Sequence, residues 1–336
     1  MEPRIIRWGI LAPGHISRKF ATALHESAGA QLVAVGSRGI ERATVFAAEF
    51  AAEPGAVRAH GSYEDLAADP DVDAVYIGSP HSGHCEQTLL CLAHGKHVLC
   101  EKPLAVNAAQ GERMVAAARA AGLLLMEAVW TRFLPSLTRV RELVTAGTIG
   151  EVRLVSADFG FRAPFDPKSR LFAPELAGGA LLDLGIYPLT LASMFCGTPT
   201  AIHAVANLGP TGVDEETAIV LRHARGELAT LSCSLRCDTP REAHVIGTEG
   251  RIRILFPWWA GTRIAVQARG GEEQVFDLPS RGGGYAHEAE AFMDLLRAGR
   301  TEPDVMSLDD SLNILRTMDA IRAQCGVRYP ADDVQR

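Results

Sequence analysis

The strict alternation of short apolar runs with longer amphipathic stretches across the first 128 residues is what most limits the fold. IIRWGIL (5–11), QLVAVGS (31–37), VDAVYIGS (72–79), HVLC (97–100) and LLLMEA (123–128) read as buried strands, being near-continuous apolar runs too short for helices. Between them stand HISRKFATALHES, ERATVFAAEFAA, GHCEQTLLCLAHG and NAAQGERMVAAARAAG, whose apolar residues recur near the helical period. Gly95 and Gly122 follow two of these helices as C-terminal caps. The expected class for residues 1–128 is therefore α/β, a doubly wound parallel sheet.

Past about residue 130 the grammar changes. TRFLPSLTRVRELVTAG predicts a helix and EVRLVSADFGF a strand; an apolar helix follows at 184–196. Strands at hairpin spacing come next: TAIVLRH, GELATLSCSLRC, EAHVIGTEG, RIRILF, TRIAVQA and EQVFDLP. Strands 217–223 and 227–237, joined through ARGE, are antiparallel neighbours. Helices at 285–298 and about 307–325 end the chain. Residues 129–336 are thus expected to form an α+β domain with one large open, mostly antiparallel sheet. The sheet face that helices leave bare predicts association of copies, a homodimer or homotetramer. Two domains suit 336 residues, and 47% apolar residues suffice to fill both cores.

Charge and cysteine usage narrow the partners. A formal charge of −7 without a basic cluster argues against nucleic acid and favours a small molecule. No apolar run approaches the roughly 18–20 residues that span a bilayer, and Met1 to Arg7 leads straight into a strand without a signal-peptide pattern. A cytoplasmic protein without a membrane partner is expected. Seven cysteines without a C-x-x-C predict reduced, mainly structural thiols.

WGILAPGHIS occupies the first strand-to-helix turn, where a dinucleotide-binding sheet carries G-x-G-x-x-G and lays the pyrophosphate on a helix N-terminus. Its three glycine positions hold Ala12, Gly14 and Ser17; only the middle one, where backbone and pyrophosphate approach most closely, remains glycine. Ala12, Pro13, Gly14, His15 and Ile16 are the candidate pyrophosphate contacts. At the end of the second strand an NAD site needs an acid, and this chain has Ser37 and Arg38, with Arg42 one turn on. A guanidinium and a hydroxyl suit a 2′-phosphate, so the expected cofactor is NADP. An ordinary surface arginine is the alternative for Arg38.

Ligands of such sheets sit beyond the carboxyl ends of strands. GSPHSGH brings Ser79, His81 and His84 there, expected as cofactor contacts and helix caps; H-x-x-H in a loop without a third ligand is poor zinc grammar, so no metal is expected. CEKP brings Glu101 and Lys102. A lysine at that strand end suits a substrate oxygen gaining negative charge, and Pro103 ends the ladder there. The residues alone leave open a solvated Glu and Lys at the sheet edge.

Together, WGILAPGHIS, VGSR, SPHSGH, HVLCEKPLAVN, MEAVWTRFLPS, GGALLDLGIYPL and AIRAQCGVRYP resemble the glucose-fructose oxidoreductase and inositol dehydrogenase family, in the branch of dimeric dihydrodiol dehydrogenases and NADP-dependent D-xylose dehydrogenases. The resemblance runs from about residue 4 to 330. It implies a Rossmann domain, a C-terminal open-sheet domain and association through that sheet. It also implies a catalytic Lys102, Asp183 and Tyr187, an active-site Trp130, an aromatic wall at Phe159, Glu101 near the nicotinamide ribose and a cis bond before Pro103. Pro13, His15 and Pro188 depart from the family's pattern.

In a helix opened by LLDLGIYPL, Asp183 and Tyr187 four apart share a face. An ammonium about 4 Å from the phenol, at an effective dielectric near 20, favours phenolate by up to about 4 kcal/mol before screening. The expected activity is an NADP-dependent dehydrogenase acting on a sugar or cyclic diol. The alternatives are a ketosugar or anhydrosugar reductase with the same site and a non-catalytic NADP-binding sensor or scaffold. G-x-S-x-G, a P-loop and Y-x-x-x-K are absent from the sequence.

Overall fold

A computed structural model describes residues 4–333. The chain divides into two compact units. One comprises the chain up to Ala105, Ala109–Phe133 and Arg281–Ser311; the other comprises Val106–Ala108, Leu134–Ser280 and the chain from Leu312.

The first unit carries β1 (Ile6–Leu11), α1 (His15–His25), β2 (Ala30–Gly36), α2 (Ile40–Phe50), β3 (Arg58–His60), α3 (Tyr63–Ala68), β4 (Ala74–Ile77), α4 (His84–Ala93), β5 (His97–Glu101), nearly all of α5 (Ala108–Ala121) and β6 (Leu125–Ala128). Its strands are all parallel in the order β3-β2-β1-β4-β5-β6. The order reverses between β1 and β4, the switch point where open α/β sheets bind ligands. Leu11 pairs with Gly36 and Ile77, Ile77 with Cys100, and Glu101 with Ala128, so the carboxyl ends share one edge. Trp8, Phe20 and Tyr76 fill the core, Phe20 stacking on Tyr76 at 3.9 Å. Gly95 and Gly122 have the positive φ, 74° and 63°, that a helix-ending cap requires.

The second unit carries α6 (Pro135–Thr145), β7 (Val152–Gly160), a π-helical turn (Leu181–Gly185), α7 (Ile186–Cys196), β8 (Pro199–Leu208), β9 (Asp214–His223), β10 (Leu228–Ser234), β11 (Ala243–Gly247), β12 (Gly250–Ile254), β13 (Arg263–Ala268) and β14 (Gln274–Asp277). Its sheet runs β14-β13-β12-β11-β7-β10-β9-β8, antiparallel except for the β7–β10 pair. The apolar α7 packs on β7. Pro174–Cys196 is long and apolar enough to cross a membrane by length and composition, but 89% of its most apolar window is buried, as in a core helix.

Three expectations are corrected. The helix α8 (Tyr285–Arg297), read with the C-terminal half, lies in the first unit, where Phe292 meets Trp8 at 5.0 Å and the Glu26 carboxylate accepts from the Gly282 N–H at 2.6 Å. The first unit also runs on to Phe133 rather than ending at 128. The segment 184–196 opens with a π turn rather than a plain α-helix. The last helix, α9 (Leu308–Cys325), contributes its first turn to the first unit and the rest to the second.

Candidate active site

Between β1 and α1 the chain makes the turn the sequence placed there. Ala12 has φ of 66°, a left-handed conformation natural to the glycine the fingerprint puts at this position. It is held by the Ser17 hydroxyl, which donates to the Ala12 carbonyl at 2.8 Å, and by the Gly14 N–H, which donates to the same oxygen at 2.8 Å. Gly14 is the N-cap of α1 and supplies no side-chain cap, so the helix end offers its N–H groups as an anion site needs. Pro13 is buried, Ile16 half-buried and His15 exposed. Ser17, in the third glycine position, is fully buried; a Cβ on the facing Gly78 would lie 2.2 Å from its hydroxyl oxygen.

At the end of β2, Ser37 is buried and its N–H donates to the His60 carbonyl at 3.1 Å. Arg38 and Arg42 are exposed and both act on the Tyr63 phenol. Burial holds that phenol above its ordinary pKa, while the two guanidinium charges and a hydrogen bond with Arg38 pull it down. Two cations and a buried serine beside one strand end fit a 2′-phosphate.

Ser79 follows β4, and its hydroxyl donates to the Pro80 carbonyl at 3.3 Å. His81 is 7% exposed, with its ring 5.7 Å from that of His84. His84 has no exposed surface; its ring nitrogens meet the Pro103 carbonyl at 2.8 Å and the Ser79 carbonyl at 3.0 Å. Burial lowers its pKa and the Lys102 charge adds to that, against the carbonyl bonds. This ring ties the loop after β4 to the loop after β5 from behind. No three His, Cys, Asp or Glu side chains among the described residues converge as metal ligands do.

Glu101 ends β5, 5% exposed. One of its oxygens accepts from the Tyr76 hydroxyl at 2.6 Å and the other from the Lys102 N–H at 3.2 Å. The carboxylate thereby fixes the backbone from which the half-buried Lys102 projects. The Lys102–Pro103 bond is cis. Trp130, just past β6, is 5% exposed and stacks on Tyr285 at 4.6 Å. The candidates from Ala12 to Trp130 lie at or just beyond the carboxyl ends of parallel strands, Arg42 one turn into the following helix, so the first unit gathers them along one edge.

In the second unit, Asp183 lies in the π turn and Tyr187 in the first turn of α7, 4% and 7% exposed. Pro188, which has no N–H to donate, follows closely on the π turn, where the helix is already widened. Asp214 braces the turn: one of its oxygens accepts from the Leu181 N–H and the Thr217 hydroxyl, each at 2.7 Å. Gly179, with φ of 117°, lets the chain pass that carboxylate, since a Cβ there would lie 2.4 Å from the other oxygen. The Arg170 guanidinium donates to Asp183 at 2.8 Å. Phe159, the last buried aromatic of β7, lies 5.4 Å from the Tyr187 ring and stacks on Trp259 at 3.5 Å.

Sequence reasoning missed Arg170, Trp259 and Tyr285. The tryptophan pair at 258–259, half of the four in the chain, was the available signal for Trp259. Arg170 and Tyr285 carry no motif, and only the fold brings them to Asp183 and Trp130.

Residues 6–129 match the oxidoreductase family with NAD-binding Rossmann fold, and residues 137–253 match the GFO/IDH/MocA C-terminal domain. The trans-1,2-dihydrobenzene-1,2-diol dehydrogenase of Sus scrofa is 40% identical over 97% of this chain and 99% of its own. The 3-ketoreductase KijD10 from Actinomadura kijaniata, solved with NADP and TDP-benzene, is 29% identical with a TM-score of 0.84 over 96% of this chain and 98% of its own. The aldose-aldose oxidoreductase from Caulobacter crescentus, solved with glycerol, is 27% identical with a TM-score of 0.86 over the same shares. A Rossmann unit and an open-sheet unit, each matched by its own family and spanned together by relatives of nearly equal length, make this chain a member of the GFO/IDH/MocA oxidoreductase family.

Proposed function

We propose that this chain is an NADP-dependent dehydrogenase that moves a hydride between nicotinamide C4 and a sugar or cyclic-diol carbon bearing a hydroxyl or carbonyl. The observation that carries the reading is the half-buried Lys102 at the carboxyl end of β5, its backbone clamped by the buried Glu101. A buried-edge ammonium with that support suits an oxygen acquiring negative charge. The open N-terminus of α1 and the Arg38–Arg42 pair fit the pyrophosphate and the 2′-phosphate. When bound, NADP supplies the acceptor for a hydrogen nucleus and two electrons.

In the oxidation direction Tyr187 takes the hydroxyl proton, Lys102 stabilises the alkoxide and favours phenolate, and Asp183 orients the lysine and the substrate. Arg170 holds Asp183 in place. Phe159 and Trp259 present an apolar wall to a ring, and Trp130 serves cofactor and substrate. Ser79 and His81 contact the nicotinamide half, and His84 supports them.

The dihydrodiol dehydrogenase relatives support a cyclic diol and the aldose-aldose oxidoreductase a sugar. Reduction of a ketosugar is the second reading, favoured by the likeness to a 3-ketoreductase. Seven unpaired thiols support a reducing, cytoplasmic setting, with burial pushing Cys91 and Cys196 up to about 12. The bare face of the second sheet supports a homodimer or homotetramer.

The test is Lys102→Ala, assayed by NADPH absorbance on whichever aldose, ketosugar or dihydrodiol the wild type turns over. The expected result is a fall in kcat of about 100-fold or more, with NADP affinity within about threefold. Near-normal turnover rejects the mechanism. Tight NADPH binding by the wild type without turnover across that screen supports the sensor instead.

A further inference from the structure

Beyond Phe159 and Cys233 the parallel strands β7 and β10 run on together. The Phe161 N–H donates to the Ser234 carbonyl at 3.0 Å and the Ala163 N–H to the Leu235 carbonyl at 2.9 Å. The second bond lies two residues on along one chain and one along the other, so the pairing ends in a bulge, and Arg162 and Arg236 leave it two residues past the ends of their strands. With Ala163, Pro164, Phe165 and Phe172 they line a cavity of about 630 Å³.

The two arginines differ in their partners. Arg236 donates to the buried Glu215 at 2.7 Å while its side chain remains 57% exposed. Among the described residues, Arg162 has no carboxylate within ion-pair distance; it is exposed and stands on the cavity wall. The loop from Phe161 to Ala173 also carries Lys168 and Arg170, against Asp166 as its one acid. Arg170 is paired with Asp183 and Arg236 with Glu215, so Arg162 is the guanidinium of this strand end with no carboxylate beside it among the described residues. Phe165, 49% exposed, meets Phe172 edge-on at 5.1 Å and offers an apolar edge beside the guanidinium groups.

We infer that this cavity is an oxyanion subsite which holds a phosphate or carboxylate carried by the substrate, so that the enzyme acts on an anionic sugar or diol. A planar guanidinium lacking a partner matches either group by paired N–H bonds, and the exposed phenylalanine selects an organic anion over an inorganic one. Arg162 lies three residues beyond Phe159, the neighbour of Tyr187, at most about 10 Å of chain, with the bulge between them. That spacing suits an anionic substituent about one ring away from the reacting carbon. The link to the substrate rests on the function proposed above; the binding of the anion does not.

Isothermal titration of the NADP-saturated protein tests it, since NADP fills the nucleotide's own phosphate sites. The probes are phenyl phosphate, phenylacetate, inorganic phosphate and benzyl alcohol. Phenyl phosphate and phenylacetate are expected to bind, Arg162→Ala to weaken both about tenfold or more, and Arg162→Lys to weaken them less. Inorganic phosphate and benzyl alcohol are expected to bind at least about tenfold more weakly than phenyl phosphate. Thermal melting establishes that Arg162→Ala is folded, and Arg236→Lys, which keeps the charge facing Glu215, gives a second variant in which the two organic anions bind more weakly. Affinity for phenyl phosphate unchanged in both variants overturns the subsite. Equal affinity for inorganic phosphate overturns its assignment to the substrate. No turnover is read, so failure of the hydride-transfer reading leaves this result interpretable.

Discussion

Glu288 is the residue whose environment is hardest to reconcile with its usual chemistry. It stands in the first turn of α8 with no exposed surface, and neither carboxyl oxygen has a hydrogen-bond partner among the described residues. Burial raises its pKa well above 4.5, and the nearby Glu101 charge adds to the effect. The folded protein therefore keeps the proton that the unfolded chain releases near pH 4.5, so the contribution of Glu288 to stability falls as pH rises through that value. Glu288→Gln, uncharged at every pH, is expected to melt a few degrees above wild type at pH 8, with the gain vanishing toward pH 4. An equal difference at both pH values, by differential scanning calorimetry, contradicts a neutral Glu288. At this scale the sequence marks residues whose position is defined by a strand end, such as Lys102 and Arg38. It hides those defined by what packs against them: Glu288 reads as one acid on an amphipathic helix, and Arg170 as one cation in a loop.

Elements of the first sheet are legible because parallel strands are buried on both faces and write themselves as apolar runs. β3 and α3, of three and six residues, are too short for a period to emerge. β8 is long, but as an edge strand with many half-exposed and small residues it lacks a clean alternation. The turn between β1 and α1 shows how an unorthodox fingerprint is made workable. The third glycine normally brings helix and strand close; here Ser17 takes its place, and Gly78, at the end of β4, supplies the room. Gly78→Ala puts a methyl 2.2 Å from the Ser17 oxygen and is expected to destabilise by about 1–3 kcal/mol and weaken NADP binding. Ser17→Gly in the same chain should restore most of both losses. A double-mutant cycle by thermal melting and NADP titration measures the coupling, and simple additivity of the two substitutions refutes the exchange of roles.

For the whole chain, local periodicity specified both fold classes but not which segments return across the sequence. Arg281–Ser311 belongs with the first sheet because Phe292, Met293 and Leu296 share a core with Trp8 and Phe20, a partnership separated by nearly the full chain length. The bare face of the second sheet raises the remaining question at this scale. Ser156, Asp158, His203, Val205, Ala218, Val220, Thr230 and Ser232 line a cavity of about 720 Å³ on it. Val205 is 73% and Val220 46% exposed, on adjacent antiparallel strands. Scattered apolar residues at a surface need no partner, but β-branched side chains grouped on a broad sheet face favour a second sheet against them. A stable pairing buries about 800 Å² on each copy, within reach of eight strands. Light scattering on the wild type is expected to give two or four times the 36.0 kDa chain mass, and Val205→Glu with Val220→Glu a single chain. Because both side chains already face outward, the charges disturb no core, and a variant that keeps the wild-type mass with an unchanged melting temperature locates the interface on some other surface.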